Sequence, residues 1–554
     1  MTPTGTPPSS SDPPPWPHCA TGAWHGDPVG CRGRQIEPYP ECLAHLREAD
    51  RDRYLGYLGP RGYLDLRGTP FSESLLRQLL DALRDTATGQ SRLAETRFDG
   101  AQFFGTARFD GAQFSDTEFG GAQFSDTEFG GAQFSGDARF AGAQFSGDAR
   151  FYKAQLSGPA DFAGAQFSGE AQFAGAQVSG TAQFGGAQFE KESLLGPLVC
   201  QGALVLTAAR FGGPVTIEAA ATRLVCERTR WDSTAALRLR YAAVDLSDAV
   251  VEYPLSVTAQ AAAFHQSGRA MAEGELANSD PGLRIASLRG ADAAHLVLHN
   301  VDLSTCMLSG TVHLDQLRLE GDCPFAPAPS GLHRRGLRLV RWTARRTLAE
   351  EQHWRQNQGW TGWMTAPDGV EVVEPAGLAP VYRQLRKSFE DSKNEPDAAD
   401  FYWGEMEMRR HDHKRPRAER TLLALYWAMS GYGLRASRAL GWLLGAMAST
   451  VLIMMLWGLP LDDPKPATTG RLTGQDISLI TDNPDPVNPT GPLRSRLTSE
   501  RWEKSLRVVV NSVVFRSSGQ DLTTAGTYTE MASRLAEPVL LGLAALAIRG
   551  RVKR

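Results

Sequence analysis

The sequence predicts a mainly β protein: a β-helix with a helical cap before it and α-helical membrane-spanning segments at its C-terminal end. Three observations carry this prediction. Large apolar residues recur every five or six positions from Phe98, glycine is dense through the same stretch, and an uncharged run of 21 residues lies at Ala439–Leu459.

The repeat sets the class. The recurring residues are Phe98, Phe103, Phe109, Phe114, Phe119, Phe124, Phe129, Phe134, Phe140, Phe145, Phe151, Leu156, Phe162, Phe167, Phe173, Val178, Phe184 and Phe189, 18 in all. Helices repeat at 3.6 residues and strands at 2, so neither generates this spacing, whereas a coil whose every face turns one residue in five inward does. The residue two before each Phe is nearly always Ala or Thr, which suits a second, tighter inward position. The Gln, Arg, Asp and Glu between them face out. From Phe129 the spacing alternates largely between 5 and 6, so each coil gains two residues, expected as small bulges stacked at opposite corners.

These A-Q-F-x-G and A-R-F-x-G units resemble the pentapeptide-repeat family, whose consensus is a small residue, a polar residue, Leu or Phe, a polar residue and Gly. The resemblance implies a right-handed quadrilateral β-helix with four pentapeptides per turn. Eighteen inward residues then make about four and a half coils, roughly 20 Å of solenoid at about 4.8 Å per strand. The regular β-helix is assigned to residues 93–190. The period fades after Phe189 and returns at Leu298, Leu303, Leu308, Leu314 and Leu319, so 191–325 reads as a degenerate continuation with loops.

An open β-helix end exposes apolar cross-section and must be capped. Residues 1–17 read as a disordered Pro/Ser-rich tail without an apolar signal segment, and 18–92 as a Cys/His-containing, helical capping region. Thr69 and Pro70 have the chemistry of a helix start, with Leu75, Leu76, Leu79, Leu80 and Leu83 following at helical spacing. Cys19, Cys31, Cys42 and His45 could supply four zinc ligands, Cys42 and His45 being the one pair at knuckle-like spacing. The alternative is plain core thiols beside a helical histidine. Seven scattered cysteines do not make a disulfide framework and fit a reducing compartment.

Residues 326–435 read as a basic linker and juxtamembrane helices. Arg334, Arg335, Arg338, Arg341, Arg345 and Arg346 are interleaved with apolar residues, either as a solvated charged element or as a lipid-facing one. Helices are expected around Val381–Arg386 and Asp397–Arg410, separated by Asn394-Glu395-Pro396. The run at Ala439–Leu459 is long enough to span a bilayer, within a first membrane helix at 436–460. The basic residues before it leave the repeats on the cytoplasmic side of the cell membrane. An extracytoplasmic loop at 461–530 and a second membrane helix with a basic tail at 531–554 complete the chain; an interfacial segment is the alternative for the last element.

The block from Tyr382 to Leu459, with Glu405-Met-Glu-Met-Arg-Arg410 and Ser430-Gly-Tyr-Gly433, resembles the C-terminal module of bacterial, actinobacterial-like pentapeptide-repeat membrane proteins. Some relatives continue into a two-helix channel. That resemblance places a pore helix at Ser505–Phe515 and a filter at Thr523–Tyr528, with Thr524, Gly526 and Tyr528 as filter-like residues.

No nucleotide-binding loop, nucleophile elbow or H-E-x-x-H is present, so the chain reads as a non-enzyme. The leading expectation is a membrane-anchored scaffold presenting a rigid β-helix to a protein partner. The alternatives are a divergent two-span ion channel and a DNA-mimic that binds topoisomerases. Nucleic acid itself is not expected as a partner, because the net charge is −4 over 554 residues. Mimicry ranks last: Glu95–Glu190 holds 12 acidic against 5 basic residues, and Gln fills many outward positions.

Overall fold

The structure is a computed structural model that describes residues 12–60, 62–335, 338–460, 466–473, 476–482, 485–514 and 522–552. The chain divides into two compact units, Met1–Phe401 and Tyr402–Arg554.

In the first unit, short strands pair in parallel with the strand one coil later, building a β-solenoid of about 11 turns. One face can be followed along Leu64, Thr96, Thr117, Ala138, Ala160, Ala182, Leu204, Leu224, Val244 and Ile285. Four corners close each regular coil. At Phe98-Asp99-Gly100-Ala101 the Ala101 N–H donates to the Phe98 carbonyl at 2.9 Å, and Gly100 has φ +64°. A turn needing positive φ at its third residue is made by glycine without steric cost, which accounts for the Gly closing so many units.

The interior consists of stacked rings. Phe71, Phe103, Phe124, Phe145, Phe167, Phe189, Phe211 and Trp231 form one ladder with centroids 4.3–5.1 Å apart. Phe98, Phe119, Phe140, Phe162 and Phe184 form a second at 4.8–5.1 Å. Phe109, Phe129, Phe151 and Phe173 form a third at 4.8–4.9 Å. Phe114 and Phe134 start a fourth, continued by Leu156, Val178 and Cys200. Neighbouring ladders meet edge to face, so each ring uses both geometries its quadrupole favours.

From Phe134 on, the inserted residue of each six-residue spacing sits in a column of glycines. A Cβ on Gly158 would lie 2.8 Å from the Gly136 carbonyl oxygen, and one on Gly180 or Gly202 would meet the backbone one coil below as closely. Gly147 and Gly169 form a second column on the same terms.

Beyond Phe189 the coils continue without a break in pairing to Val257, and outside the first ladder, which keeps Phe211 and Trp231, the ladder positions change from Phe to Leu, Ile, Val and Cys. The coils resume from Leu283 to Glu320. Between them, residues 260–282 leave the solenoid and fold back on its flank, where Phe264, Met271 and Leu276 cover Val199 and Ala220. The buried Arg240–Glu273 ion pair, 2.7 Å, pins this flap, and Tyr241 donates to the same carboxylate at 2.6 Å.

At the start, α1 (Glu48–Tyr57) and α2 (Glu73–Ala82) lie before the regular coils. The expected helix start at Thr69 and Pro70 is corrected. Pro70–Ser72 is a strand paired to Gln102–Phe104, and Ser72 caps α2 by accepting the Leu75 N–H at 3.2 Å. Phe71 is the reason: its ring founds the first ladder, and that burial outweighs the N1 preference of the neighbouring proline.

The far end is closed by α3 (Ala349–Asn357), α4 (Pro375–Asp391) and the first turns of α5 (Glu395–His411). Ser388 donates to the Leu317 carbonyl at 2.6 Å and Lys387 pairs with Asp315 at 2.7 Å. Phe389 and Phe401 pack on Phe325. The Glu350 carboxylate accepts the backbone N–H groups of Leu308 and Ser309, satisfying donors that no further coil would reach.

The second unit holds α6 (Arg417–Ser430), α7 (Ala436–Ile453, extended to Gly458 by one wider turn), a hairpin of Ala467–Thr473 and Asp476–Asp482, α8 (Ser499–Val514) and α9 (Thr524–Val552). Val451, Met455 and Val509 form the contact between α7 and α8.

Candidate functional site

Three features of the structure are able to act on something outside the chain. The first is the lateral surface of the solenoid. Since outward residues repeat once per coil, like side chains stack. Gln102, Gln123, Gln144, Gln166 and Gln188 run up one face, and Gln113, Gln133, Gln155 and Gln177 up another. Arg97, Glu118 and Arg139 alternate at 2.9 and 2.8 Å, and Arg108, Glu128 and Arg150 at 3.5 and 3.4 Å. These exposed pairs add little stability each, about 0–1 kcal/mol. Their consequence is electrostatic: Glu118 on one face and Glu128 on another are each neutralised in place, so these columns form no acidic stripe of the kind a duplex mimic requires. Where the flap meets the coils, Lys153, Gln155, Gln177, Gln266 and Arg269 line an open polar groove beside Tyr152, which is 41% exposed.

The second feature is the thiol cluster. Cys19, Cys31, Cys42 and His45 are brought together, one ligand atom from each lying within 4.8 Å of every other. The Cys31 and Cys42 sulfurs are 3.7 Å apart, and His45 Nδ1 lies 3.3 Å from Cys42 and 3.5 Å from Cys19. His45 occupies a turn, not the helix expected from the sequence. Cys42 is fully buried and His45 exposed, so the group opens to solvent on the imidazole side.

The third is the pair of apolar helices, Ala436–Gly458 and Thr524–Ile548, each long and apolar enough to cross a membrane. Within this unit Glu537, fully buried, has its Oε1 2.9 Å from the Thr450 hydroxyl. The filter assignment is corrected. Thr524, Gly526 and Tyr528 belong to the first turns of α9, where their carbonyls enter helical hydrogen bonding instead of pointing down a pore. Thr523 caps that helix: its hydroxyl accepts the Gly526 N–H at 3.2 Å and lies 2.6 Å from the Trp457 carbonyl oxygen. Gly526 is there for close approach, since a Cβ would stand 2.3 Å from the Gly458 oxygen. The expected pore helix at Ser505–Phe515 corresponds to α8, with Phe515 outside the described residues. We expect Gly526→Val to force the two helix ends apart and lower the melting temperature of detergent-solubilised protein by several degrees, with Gly542→Val, which meets open space, as the near-silent control.

Sequence reasoning missed several residues. Arg501 donates to the carbonyls of Met455, Leu459 and Pro460 at 2.8–3.0 Å, satisfying the orphan acceptors at the end of the first apolar helix. No local pattern announces a partner more than forty residues away. The sequence predicts a solvated or lipid-facing run at 334–346; instead Arg345 is buried against Glu351, and Arg346 pairs with Asp397 at 2.9 Å. Side chains at 335–339 lie outside the described residues. Glu351 and Arg355 stand four apart on α3, 2.7 Å from each other, and that spacing was a readable signal.

A sequence model of the family described as pentapeptide repeats (9 copies) matches residues 109–155 and 151–195. No curated protein matches the chain.

Proposed function

We propose that the chain is a non-enzymatic, membrane-anchored scaffold whose pentapeptide-repeat solenoid presents its flanks to a protein partner. The observation that carries this reading is the union, in one chain, of a solenoid closed at its far end by helices and two helices of membrane-spanning length. The helices over the far end leave the lateral ladders and the flap groove as the broad recognition surface. Stacked aromatic ladders and parallel hydrogen bonds make that surface rigid, so a partner pays little for ordering it. The basic residues preceding α7 support a cytoplasmic solenoid under the positive-inside rule. Several of them are also structural: Arg410 pairs with Glu407 at 2.6 Å, and Arg409 and Arg415 converge on Glu419.

Fractionation of cells expressing the full chain tests the anchor. The expected result is recovery in the membrane pellet after alkaline carbonate washing, with the solenoid cleaved by protease added to inside-out but not to right-side-out vesicles. Recovery in the membrane-free supernatant would sink the proposal.

Ion conduction is a second reading, favoured by one observation, the carboxylate of Glu537 buried between apolar helices; ionisable residues at such depth commonly mark pathways. Flux into liposomes carrying the full chain, abolished by Glu537→Gln, is the result it requires.

A further inference from the structure

The segment from Pro17 to Leu46 contains no helix or ladder strand among the described residues, only the isolated bridges His18–Arg34 and Trp24–Asp27. So little regular structure buries too little apolar surface to hold a fixed path, and small loop-rich segments of this kind are ordinarily stapled by a disulfide or a metal. Yet the path is closely specified. Cys19 N–H donates to the Gly33 carbonyl at 2.8 Å, Ala20 N–H to Cys31 at 2.9 Å, and Cys31 N–H to Thr21 at 3.0 Å, so the Cys19 and Cys31 loops face each other. Gly33 N–H donates to the Cys31 sulfur at 3.4 Å, as a backbone amide does toward a thiolate. A Cβ on Gly33 would meet the Cys42 Cβ at 2.7 Å, which is why this position is glycine and how the third thiol is brought in.

The distances select the staple. Tetrahedral zinc with Zn–S bonds of about 2.3 Å and Zn–N of about 2.0 Å sets sulfurs about 3.8 Å apart and sulfur about 3.5 Å from nitrogen. The observed 3.7, 3.5 and 3.3 Å lie along such edges, whereas a disulfide requires about 2.05 Å. We propose that Cys19, Cys31, Cys42 and His45, through Nδ1, hold one zinc ion in a closed Cys3His structural site that locks the N-terminal segment beneath the first coil of the solenoid.

The locking follows from what lies against the cluster. Arg34 N–H donates to the Arg67 carbonyl at 2.8 Å, in the sense in which Leu66 N–H donates to Arg97 one coil further on. Residues 33–34 therefore add a partial rung under Leu66–Gly68. Gly68, with φ +63°, would place a Cβ 2.5 Å from the Arg32 oxygen, so the two levels are in backbone contact. Arg67 also lies over the Trp16 ring at 4.6 Å. The metal thus fixes the piece of chain that shields the open edge of Leu64 and Leu66.

The test is elemental analysis of the full chain purified in detergent without added metal. We expect about one zinc per chain, lost in Cys31→Ser and Cys42→Ser and retained in His45→Cys. Cobalt exchanged into the wild type gives tetrahedral d–d bands with a sulfur-to-metal charge-transfer band, which strengthens in His45→Cys as a fourth thiolate joins. Chelation is expected to raise amide exchange in Leu64–Ser72 at least tenfold while leaving Phe140–Phe189 unchanged. Retention of the solenoid's circular dichroism by the serine variants separates metal loss from misfolding. Wild-type protein with no more zinc than Cys42→Ser, or a Cys31–Cys42 disulfide found by mass spectrometry of protein isolated with free thiols blocked at lysis, overturns the site. Unchanged exchange in Leu64–Ser72 after zinc removal overturns its locking role.

Discussion

Phe129→Ala is expected to destabilise the solenoid by about 3–5 kcal/mol, the cost of a large cavity where surrounding groups cannot collapse. Phe129 is wholly buried, stacked at 4.9 Å on both Phe109 and Phe151, and edge-on to Phe119 and Phe140. Collapse into the gap would need coils held by backbone hydrogen bonds above and below to move together. Because a solenoid couples each turn only to its neighbours, the damage should be local. Hydrogen exchange in detergent is expected to show protection lost in the coils containing Phe109 and Phe151 and preserved at Leu237–Val257. Gln133→Ala, on the outward face of the same region, should stay within about 0.5 kcal/mol of wild type. Equal protection losses in both variants would mean that the ladder is not what holds the coils.

Glu351→Gln is the second large effect. Glu351 accepts from Arg345 and from Arg355, at 2.7 Å, and from the Tyr382 hydroxyl, all of them buried. Arg355 is further enclosed by Trp342, Trp354 and Trp363 at 4.5–5.5 Å. Neutralising the one acid between two buried guanidinium groups is expected to cost about 3–5 kcal/mol, more than the pair is worth against an apolar replacement. Burial by itself would raise the Glu351 carboxyl, but the charges and hydrogen bonds of Arg345 and Arg355 outweigh it and hold it at about 2. A carboxyl depressed on folding stabilises fully above its unfolded pKa of about 4.3 and loses that contribution as pH falls toward the folded value. Thermal melts of the wild type should therefore fall between about pH 5 and pH 2, with the Glu351→Gln variant lower at pH 7 and flatter through that window. A variant that tracks the wild type through this window would remove Glu351 as the source of the acid sensitivity.

How much of this was legible in the sequence depends on the range of each interaction. The ring ladders could be read because five- and six-residue spacings recur and every large interior position from Phe98 to Phe151 is Phe. Past Phe189 the geometry persists, but Leu195, Cys200, Leu206 and Phe211 fill the interior with three side-chain shapes instead of one, and the eye loses a period that the backbone keeps. The flap at 260–282 was invisible because Phe264, Met271 and Leu276 find their partners at Val199 and Ala220, a separation no local pattern encodes. The four zinc ligand candidates could be named from residue type and the single Cys42–His45 spacing; their convergence depends on Gly33 and on backbone pairing with the first coil, which neither reports. Thr523-Thr-Ala-Gly526 was ambiguous in principle, since a hydroxyl three residues before a glycine serves a helix cap as well as a carbonyl filter, and only the backbone distinguishes them.

The glycine columns at the corners carry an implication for how such a chain can change length. Ala138 stacks on Ala160 and Ala160 on Ala182, a repeat of 22 residues, and each column admits its next member only at that interval. Gain or loss of 22 residues is silent to the interior, since every ring meets its counterpart one storey away. Removal of 11 also keeps phenylalanines inside, but it turns everything beyond the joint by half a revolution about the long axis. The flap groove would then face the opposite way, relative to the N-terminal segment, from its present bearing. Unequal recombination among these near-identical units is thus a ready-made source of variants that differ in height in one case and in bearing in the other, without a single new side chain.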